Sequence, residues 1–252
     1  MAEAVEPSDG RPRSFKLAYA ALALALGIAI AGFVVLLTRG QSRTQATESW
    51  SAWQPSDSGL LGAREIGHTV SAQYKTADGQ QLAAVQEHLP EVQGLHLETI
   101  GVRRLLDTGQ IDPYIGLFGT DRTLIYAFCG LRANCAVGDT SSPSQLLRRE
   151  ALELSLYAFK YLKGVDQVVS LVQGTSTGGP TAVFLRRSQL SSELDNPLRD
   201  TLPLSAPPRE GATDEREAAV IDSLTLQNTF PAHFEPLPDG DAILVLDISS
   251  NG

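Results

Sequence analysis

The chain contains two cysteines, Cys129 and Cys135, whose type and spacing make them the first candidates for chemistry. Two thiols supply only half of a tetrahedral zinc shell, and their spacing is not the Cys-x-x-Cys of redox motifs. An even number of cysteines in an exported domain favours a structural disulfide, which would close a tight loop here. Free buried thiols and a reactive or metal-binding pair are the alternatives that the sequence leaves open.

Two other motifs resemble ligand sites, and each has a simpler explanation. The glycine-rich residues 174–180 could cradle a phosphate, but they lack the lysine of a P-loop and join two predicted strands instead of opening a helix. Asp239, Asp241 and Asp247 could hold calcium, but EF-hand spacing is absent and an Asp-Gly pair is a turn signal. We therefore expect a plain connection and a turn.

Histidines and serines form no motif that assigns a reaction. No pair of histidines has the His-x-x-x-His spacing of a metal site. Residues 174–178 read Gly-x-Ser-x-Gly, but they join two predicted strands and not the strand and helix of a nucleophile elbow. The sequence consequently identifies no catalytic residue, no metal site and no cofactor. The histidines, expected on the surface or at its boundary, are His68, His88, His96 and His233.

An uncharged apolar stretch at residues 17–37 lies between Lys16 and Arg39. It is long enough to cross a bilayer and lacks the polar stripe of a buried soluble helix, so we predict a transmembrane helix over residues 15–38. A cleaved signal peptide is the rival interpretation. Because signal-peptide cores usually run about 7 to 15 residues, an uncleaved signal anchor fits better.

Basic residues near the span predict its orientation. Arg11, Arg13 and Lys16 precede it, whereas Arg39 and Arg43 follow it. The positive-inside rule then keeps the N-terminus in the cytoplasm and exports the C-terminal part, so the expected location is the cell membrane.

This orientation leads to four predicted segments. Residues 1–14 form a cytoplasmic tail, residues 15–38 the membrane span, residues 39–59 a polar spacer, and residues 60–252 one extracytoplasmic globular domain. Trp50 and Trp53 lie in the spacer, where they could anchor at the membrane interface or contact the domain.

The net charge of −9, with no basic cluster outside the membrane flank, argues against nucleic-acid binding. The expected contacts are the lipid bilayer, through residues 15–38, and an envelope protein partner. A homo-oligomer is compatible with the sequence, but no feature supports it.

One helix carries the clearest local signals. Ser142-Pro143-Ser144-Gln145 supplies an N-cap, a first-turn proline and a capping-box glutamine, and Gly164 should end the helix. Its wide apolar stripe predicts a position deep against a sheet. Arg149 and Glu153, four residues apart, are expected on a solvated face.

Strands on both sides of this helix predict a β-α-β unit over residues 123–172, and hence an α+β or mixed α/β domain. Further strands are expected at 95–100, 181–186 and 242–248, with a helix at 214–224 and a loop at 107–121. Residues 66–75 and 81–87 should form a hairpin around the turn at 76–79, with a short helix at 80–88 as the alternative.

The cysteine loop Cys129-Gly-Leu-Arg-Ala-Asn-Cys135 is followed by Leu146-Leu-Arg-Arg-Glu-Ala-Leu-Glu-Leu154 and Tyr157-Ala-Phe-Lys-Tyr161. This part of the chain, chiefly residues 123–172, resembles a segment of uncharacterised single-pass membrane proteins of high-GC Gram-positive bacteria. The resemblance implies a bacterial cell-envelope setting. It implies no catalytic residue, because that group has no assigned activity.

Two functions of different class follow from these observations. The first is a membrane-tethered interaction or assembly module that presents its domain to another envelope protein. The second is an exported enzyme, such as a hydrolase, or a small-ligand-binding protein, which would need a pocket that converges on polar groups.

Overall fold

The computed structural model describes residues 49–88, 91–92, 95–104, 110, 112–130, 135, 137, 144–174, 179–203, 207, 209 and 213–248. Apart from Ser49, these residues belong to the unit Trp50–Gly252. The predicted membrane span and cytoplasmic tail lie outside the described residues. Among the helices that are described, none has the length and apolar character needed to cross a bilayer.

Helices and a large mixed sheet make this unit an α+β domain, as the sequence predicts. The helices are α1 Leu60–Ser71, α2 Gln145–Tyr161, α3 Ser191–Asp195, α4 Leu198–Thr201 and α5 Glu215–Thr225. The strands of the described chain are β1 Ala84–His88, β2 Glu91–Val92, β3 Leu95–Val102, β4 Gly116–Gly119, β5 Thr123–Cys129, β6 Gln167–Val172, β7 Thr181–Arg186, β8 Thr229–Pro236 and β9 Ala242–Leu246.

The strands follow one another in the order β1-β5-β6-β7-β8-β9-β3-β2, and β4 pairs with β3 beside this path. β5 and β6 are parallel neighbours joined through α2, which confirms the β-α-β unit. β3 and β9 form the second parallel pair. β1–β5, β6–β7, β7–β8 and β8–β9 are antiparallel.

Apolar side chains fill both faces of the central strands. Because side chains alternate along a strand, Tyr126 and Val168 join the helix-side cluster, whereas Ile125 and Val169 point to the other face. On that other face they share a cluster with Leu97 of β3. The β8-β9-β3 half of the sheet therefore covers the face of β5 and β6 that the helices leave free.

Helix α2 lies in the centre of the helix layer, and every residue from Leu146 to Phe159 is buried. Its N-cap is Ser144, whose hydroxyl accepts a hydrogen bond from the Leu147 amide at 3.4 Å. The helix therefore begins at Gln145, two residues after Pro143, because Ser144 and not Ser142 is the N-cap. The helix ends at Tyr161, and Gly164 adopts a φ of +73° in the turn that follows.

The predicted hairpin before β1 is only partly right. The turn at 76–79 exists, with Gly79 at a φ of +85° and a bridge between Lys75 and Gln81. However, residues 66–71 of the segment before the turn belong to helix α1, and the segment after the turn leads into β1 and not into the alternative helix. α1 packs on the sheet with Ile66 and Val70, which are spaced one helical turn apart.

Trp50 and Trp53, which the sequence assigns to the spacer, contact the domain. The ring centroids of both tryptophans lie 5.5 Å from that of Tyr157 on α2. The Trp50 carbonyl also accepts a hydrogen bond from the Leu198 amide at 2.8 Å. Of the two roles considered for these tryptophans, the structure supports docking on the domain.

Candidate functional site

An open cleft of about 770 Å³ lies where β6 begins and β7 ends. Gln167 is the first residue of β6, and it pairs with Arg186, the last residue of β7. Arg187 follows in a short 3-10 turn. Helix α2 contributes Lys160 to the lining, and the cleft therefore brings three cationic side chains together.

Two aromatic rings hold the arginines of the cleft. The guanidinium carbon of Arg186 lies 5.3 Å from the ring centroid of Phe118, and that of Arg187 lies 5.6 Å from the ring of Phe159. Phe118 itself packs against Phe184, with ring centroids 5.3 Å apart. Stacking of this kind is attractive and limits the orientations that a guanidinium group can adopt.

Two of the three cations have acceptors within the protein. Arg187 donates to the Val165 carbonyl from Nε at 3.1 Å and from Nη2 at 2.8 Å, and its Nε lies 3.5 Å from Asp166 Oδ1. Lys160 Nζ donates to the Leu194 carbonyl at 2.7 Å. These bonds fix both side chains at the edge of the cleft.

Arg186 differs from these two side chains. Its Nε lies 3.4 Å from Gln189 Oε1, a neutral acceptor. Within the part of the chain that the structure describes, its terminal nitrogens have no hydrogen-bond partner and no carboxylate lies in ion-pair range. Burial, and secondarily the like charge of Arg104, lower the pKa of Arg186. The cleft thus holds a guanidinium whose preferred anionic partner is not supplied by the described residues.

A second polar cluster lies inside the domain, between α2, α5 and the segment after α1. Arg149, only 1% exposed, donates from Nε to Glu217 at 2.8 Å and from Nη1 to the Tyr74 hydroxyl at 2.6 Å. Its Nη1 also donates to Glu153 at 3.1 Å, and Tyr74 donates to the same Glu153 oxygen at 2.6 Å. The predicted solvated face for Arg149 and Glu153 is therefore wrong, because α5 covers that side of α2.

Glu150 is fully buried beside this cluster, and among the described residues neither carboxyl oxygen has a hydrogen-bond partner. Burial raises the pKa of Glu150 well above its ordinary value, and the neighbouring Glu153 charge adds to that rise. Burial also raises the pKa of Tyr74. These residues are enclosed, and they do not line the cleft described above.

Cys129 and Cys135 form a disulfide, with Cα atoms 4.3 Å apart, which confirms the favoured interpretation of the cysteine pair. The amide of Gly130 also donates to the Cys135 carbonyl at 2.9 Å. Disulfide and hydrogen bond together close the loop directly after β5. The pair is structural in this arrangement.

The remaining motifs of the sequence lie apart from the cleft. Residues 175–178 of the glycine-rich segment are outside the described residues. Asp239 and Asp241 form a turn in which the Asp241 amide donates to Asp239 Oδ1 at 3.2 Å, and their carboxylates lie within 4.8 Å of Glu98. Asp247 instead faces Arg103 at 3.5 Å. Exposed carboxylates at a turn do not by themselves select a cation, and we assign none.

Two histidines, His96 and His233, contact carboxylates, while His68 is exposed and His88 half-buried. His96 lies 3.6 Å from Asp241, and His233 lies 3.3 Å from Glu235 and 3.6 Å from Asp247. Both histidine side chains are exposed, so these are surface contacts. They do not assemble a nucleophile with a base.

The sequence matches no protein-family model and no curated protein, and no solved structure matches the chain. The sequence predicts a strand that ends at Arg186, but it does not connect Arg186 to Phe118. The signal for this site in the sequence is the Arg186-Arg187 pair after an apolar strand. The aromatic rings that contact these arginines, Phe118 and Phe159, come from segments distant in the chain.

Proposed function

We propose that the chain is a membrane-anchored, single-pass protein whose extracytoplasmic domain binds another envelope protein. We assign this contact to an apolar rim made of Tyr114, Ile115 and Leu117. The partner that we propose is a protein that offers an extended apolar segment.

The observation that carries the proposal is the exposure of this rim. Tyr114 is 81% exposed, Leu117 69% and Ile115 43%. Isolated exposed apolar residues are ordinary, but three in one short segment form a patch of the kind that marks protein contacts. A Cβ at Gly101 would lie 3.2 Å from Ile115, so the lack of a side chain there lets the rim lie flat on β3.

The rim also stands beside an open strand edge. β4 pairs with β3 through Leu117 opposite Gly101, and no other strand among the described residues pairs with β4. An open edge presents backbone N–H and C=O groups that an added strand satisfies, while apolar side chains give the contact its specificity. The net charge of −9 disfavours a second copy of the acidic chain as the occupant.

Three further observations support the location. The uncharged stretch at 17–37 is long enough to cross a bilayer. The Cys129–Cys135 disulfide is typical of oxidising compartments outside the cytoplasm. The resemblance of residues 123–172 to bacterial single-pass proteins fits the same setting.

Photo-crosslinking in native membranes tests the proposal. Tyr114 is replaced by a photoreactive phenylalanine in the full-length protein, and the crosslinked chains are identified. We expect one partner protein whose yield falls by about tenfold when Leu117→Asp is added, because a charge would be desolvated in the contact. Leu226→Asp is the matched control, since Leu226 is 55% exposed but lies outside the rim.

Equal yields in the Leu117→Asp and Leu226→Asp proteins would overturn the proposal, as would the absence of any crosslinked partner. A crosslink to a second copy of the chain would also overturn it and would favour a homo-oligomer. An unidentified protein captured equally by every variant counts as background and contradicts a specific rim contact.

A further inference from the structure

We propose that the cleft at the end of β6 and β7 binds the phosphate group of a small phosphorylated ligand through Arg186. This site goes beyond the proposed protein contact and does not depend on it. Leu117 and Phe118 are adjacent in β4 and point to opposite faces, so the rim and the cleft use different sides of the same strand.

The first argument is the state of the Arg186 guanidinium. It is stacked on Phe118 and has a single neutral acceptor, Gln189. Each of its terminal nitrogens carries two N–H groups, and the described residues offer these no acceptor. A planar fork of this kind binds two oxygens of one oxyanion side by side.

The second argument is the surrounding charge. The like charge of Arg104 helps to lower the pKa of Arg186. Lys160 and Arg187 contribute further positive charge to the cleft. Two acids, Asp166 and Asp195, also line the cleft, and Asp166 is already paired, because its Oδ2 lies 2.8 Å from Arg122. Three cationic side chains against two acids leave the cleft locally positive on a chain of net charge −9, which favours an anion.

The third argument is the size and polarity of the cleft. Its volume of about 770 Å³ exceeds what one phosphate needs and falls in the range of small-molecule sites. Ser188, Ser191 and Gln167 add hydroxyl and amide groups to the lining, and Phe159 and Leu194 add apolar surface. This mixture suits a phosphate attached to a polyol or sugar.

Titration calorimetry of the full-length protein in zwitterionic nanodiscs tests the site, with glycerol 3-phosphate as the probe and glycerol as its uncharged comparison. We expect a Kd of about 1 mM or tighter for the phosphate and no binding of glycerol. Arg186→Gln should weaken binding by at least about tenfold. Arg64→Gln, which changes an exposed arginine outside the lining, should leave it within about twofold.

Arg104→Gln provides a second variant, because Arg104 is exposed and its replacement leaves the Phe118 stack intact. We expect it to weaken binding by about threefold while the melting temperature stays unchanged. If Arg186→Gln fails to fold, loss of affinity in the Arg104 variant alone supports the site. Unchanged affinity in that variant then overturns it.

Equal losses in the Arg186 and Arg64 variants would overturn the proposal, since general attraction to the surface would explain them. The absence of any heat of binding with glycerol 3-phosphate, in zwitterionic nanodiscs and in nanodiscs that contain phosphatidylglycerol, would overturn it as well. Weaker apparent binding when the nanodisc contains phosphatidylglycerol would support the site and identify a lipid headgroup as a competing source of the phosphate.

Discussion

Glu150 and Glu153 lie one turn apart on α2 and are both buried, but within the described chain only Glu153 has hydrogen-bond partners for its carboxylate. Burial favours the neutral form of an acid, and hydrogen bonds from Arg149 and Tyr74 to Glu153 offset part of that effect. Glu150 has no such bonds. We therefore expect Glu150 to keep its proton in the folded domain at a pH where the unfolded chain has released it.

The Glu150→Gln variant tests this expectation through the pH dependence of stability. Because the folded-state pKa of Glu150 is raised, the folded protein holds more protons than the unfolded chain above about pH 4.5. The free energy of unfolding should fall as pH rises through that interval, by up to about 1.4 kcal/mol per pH unit. Urea unfolding from pH 4 to 8 should show this fall in the wild type and a flatter profile in the variant.

Glu65→Gln is the control, because Glu65 should change the free energy of unfolding with pH in the opposite direction. Hydrogen bonds from Ser56 lower the pKa of Glu65, so its small stabilising effect is present above about pH 4.5 and is lost as pH falls. Parallel profiles for the wild type and Glu150→Gln across the whole range would show that Glu150 does not hold its proton on folding.

At the scale of elements, α2 is held to α5 by a buried ion pair. Arg149 on α2 and Glu217 on α5 are 2.8 Å apart, with side chains 1% and 0% exposed. Arg64 and Glu87 join α1 to β1 at a similar 2.6 Å, but their side chains are 63% and 11% exposed. The two pairs have nearly equal geometry and differ in contact with water, which decides what breaking them costs.

We expect Arg149→Met to destabilise the domain by about 3 to 5 kcal/mol, because it leaves the Glu217 charge buried without its partner. Arg64→Met should cost about 1 kcal/mol or less, because Arg64 is exposed and water weakens its attraction to Glu87. Denaturant unfolding of both variants at the same pH measures the difference. Similar losses in the two variants would contradict the importance of burial for the α2–α5 contact.

At the scale of the whole molecule, the proposed membrane anchor and the disulfide together predict on which side of the membrane the domain lies. In full-length protein taken directly from cells, Cys129 and Cys135 should be oxidised. A membrane-impermeant maleimide should label Ser188→Cys, an exposed position of the domain, on intact cells. It should label Ser8→Cys, in the predicted cytoplasmic tail, only after lysis.

Free thiols in freshly isolated protein, or labelling of Ser8→Cys on intact cells, would contradict the predicted orientation. Alkaline extraction completes the measurement, because a spanning helix keeps the full-length chain in the membrane pellet. Release of the chain at high pH would argue against the anchor.

Local signals determined much of the domain. The strand at 181–186, the β-α-β unit and the helix after Asp214 all follow from periodicity and caps of neighbouring residues, and the structure has them. The disulfide was also the favoured prediction, because the two cysteines are close in sequence and an even number of cysteines in an exported domain favours pairing. The uncharged stretch at 17–37 predicts an anchor by length alone.

Tertiary packing decided the rest. β8 contains Pro231, which argues against a strand in isolation, and β4 is a four-residue segment between glycines; both exist because distant partners pair with them. Arg149 is buried because α5 covers it, and Arg186 faces a cleft because Phe118 arrives from another strand. Sequence periodicity reports one face of an element, whereas the neighbour that covers each side is set by the whole fold.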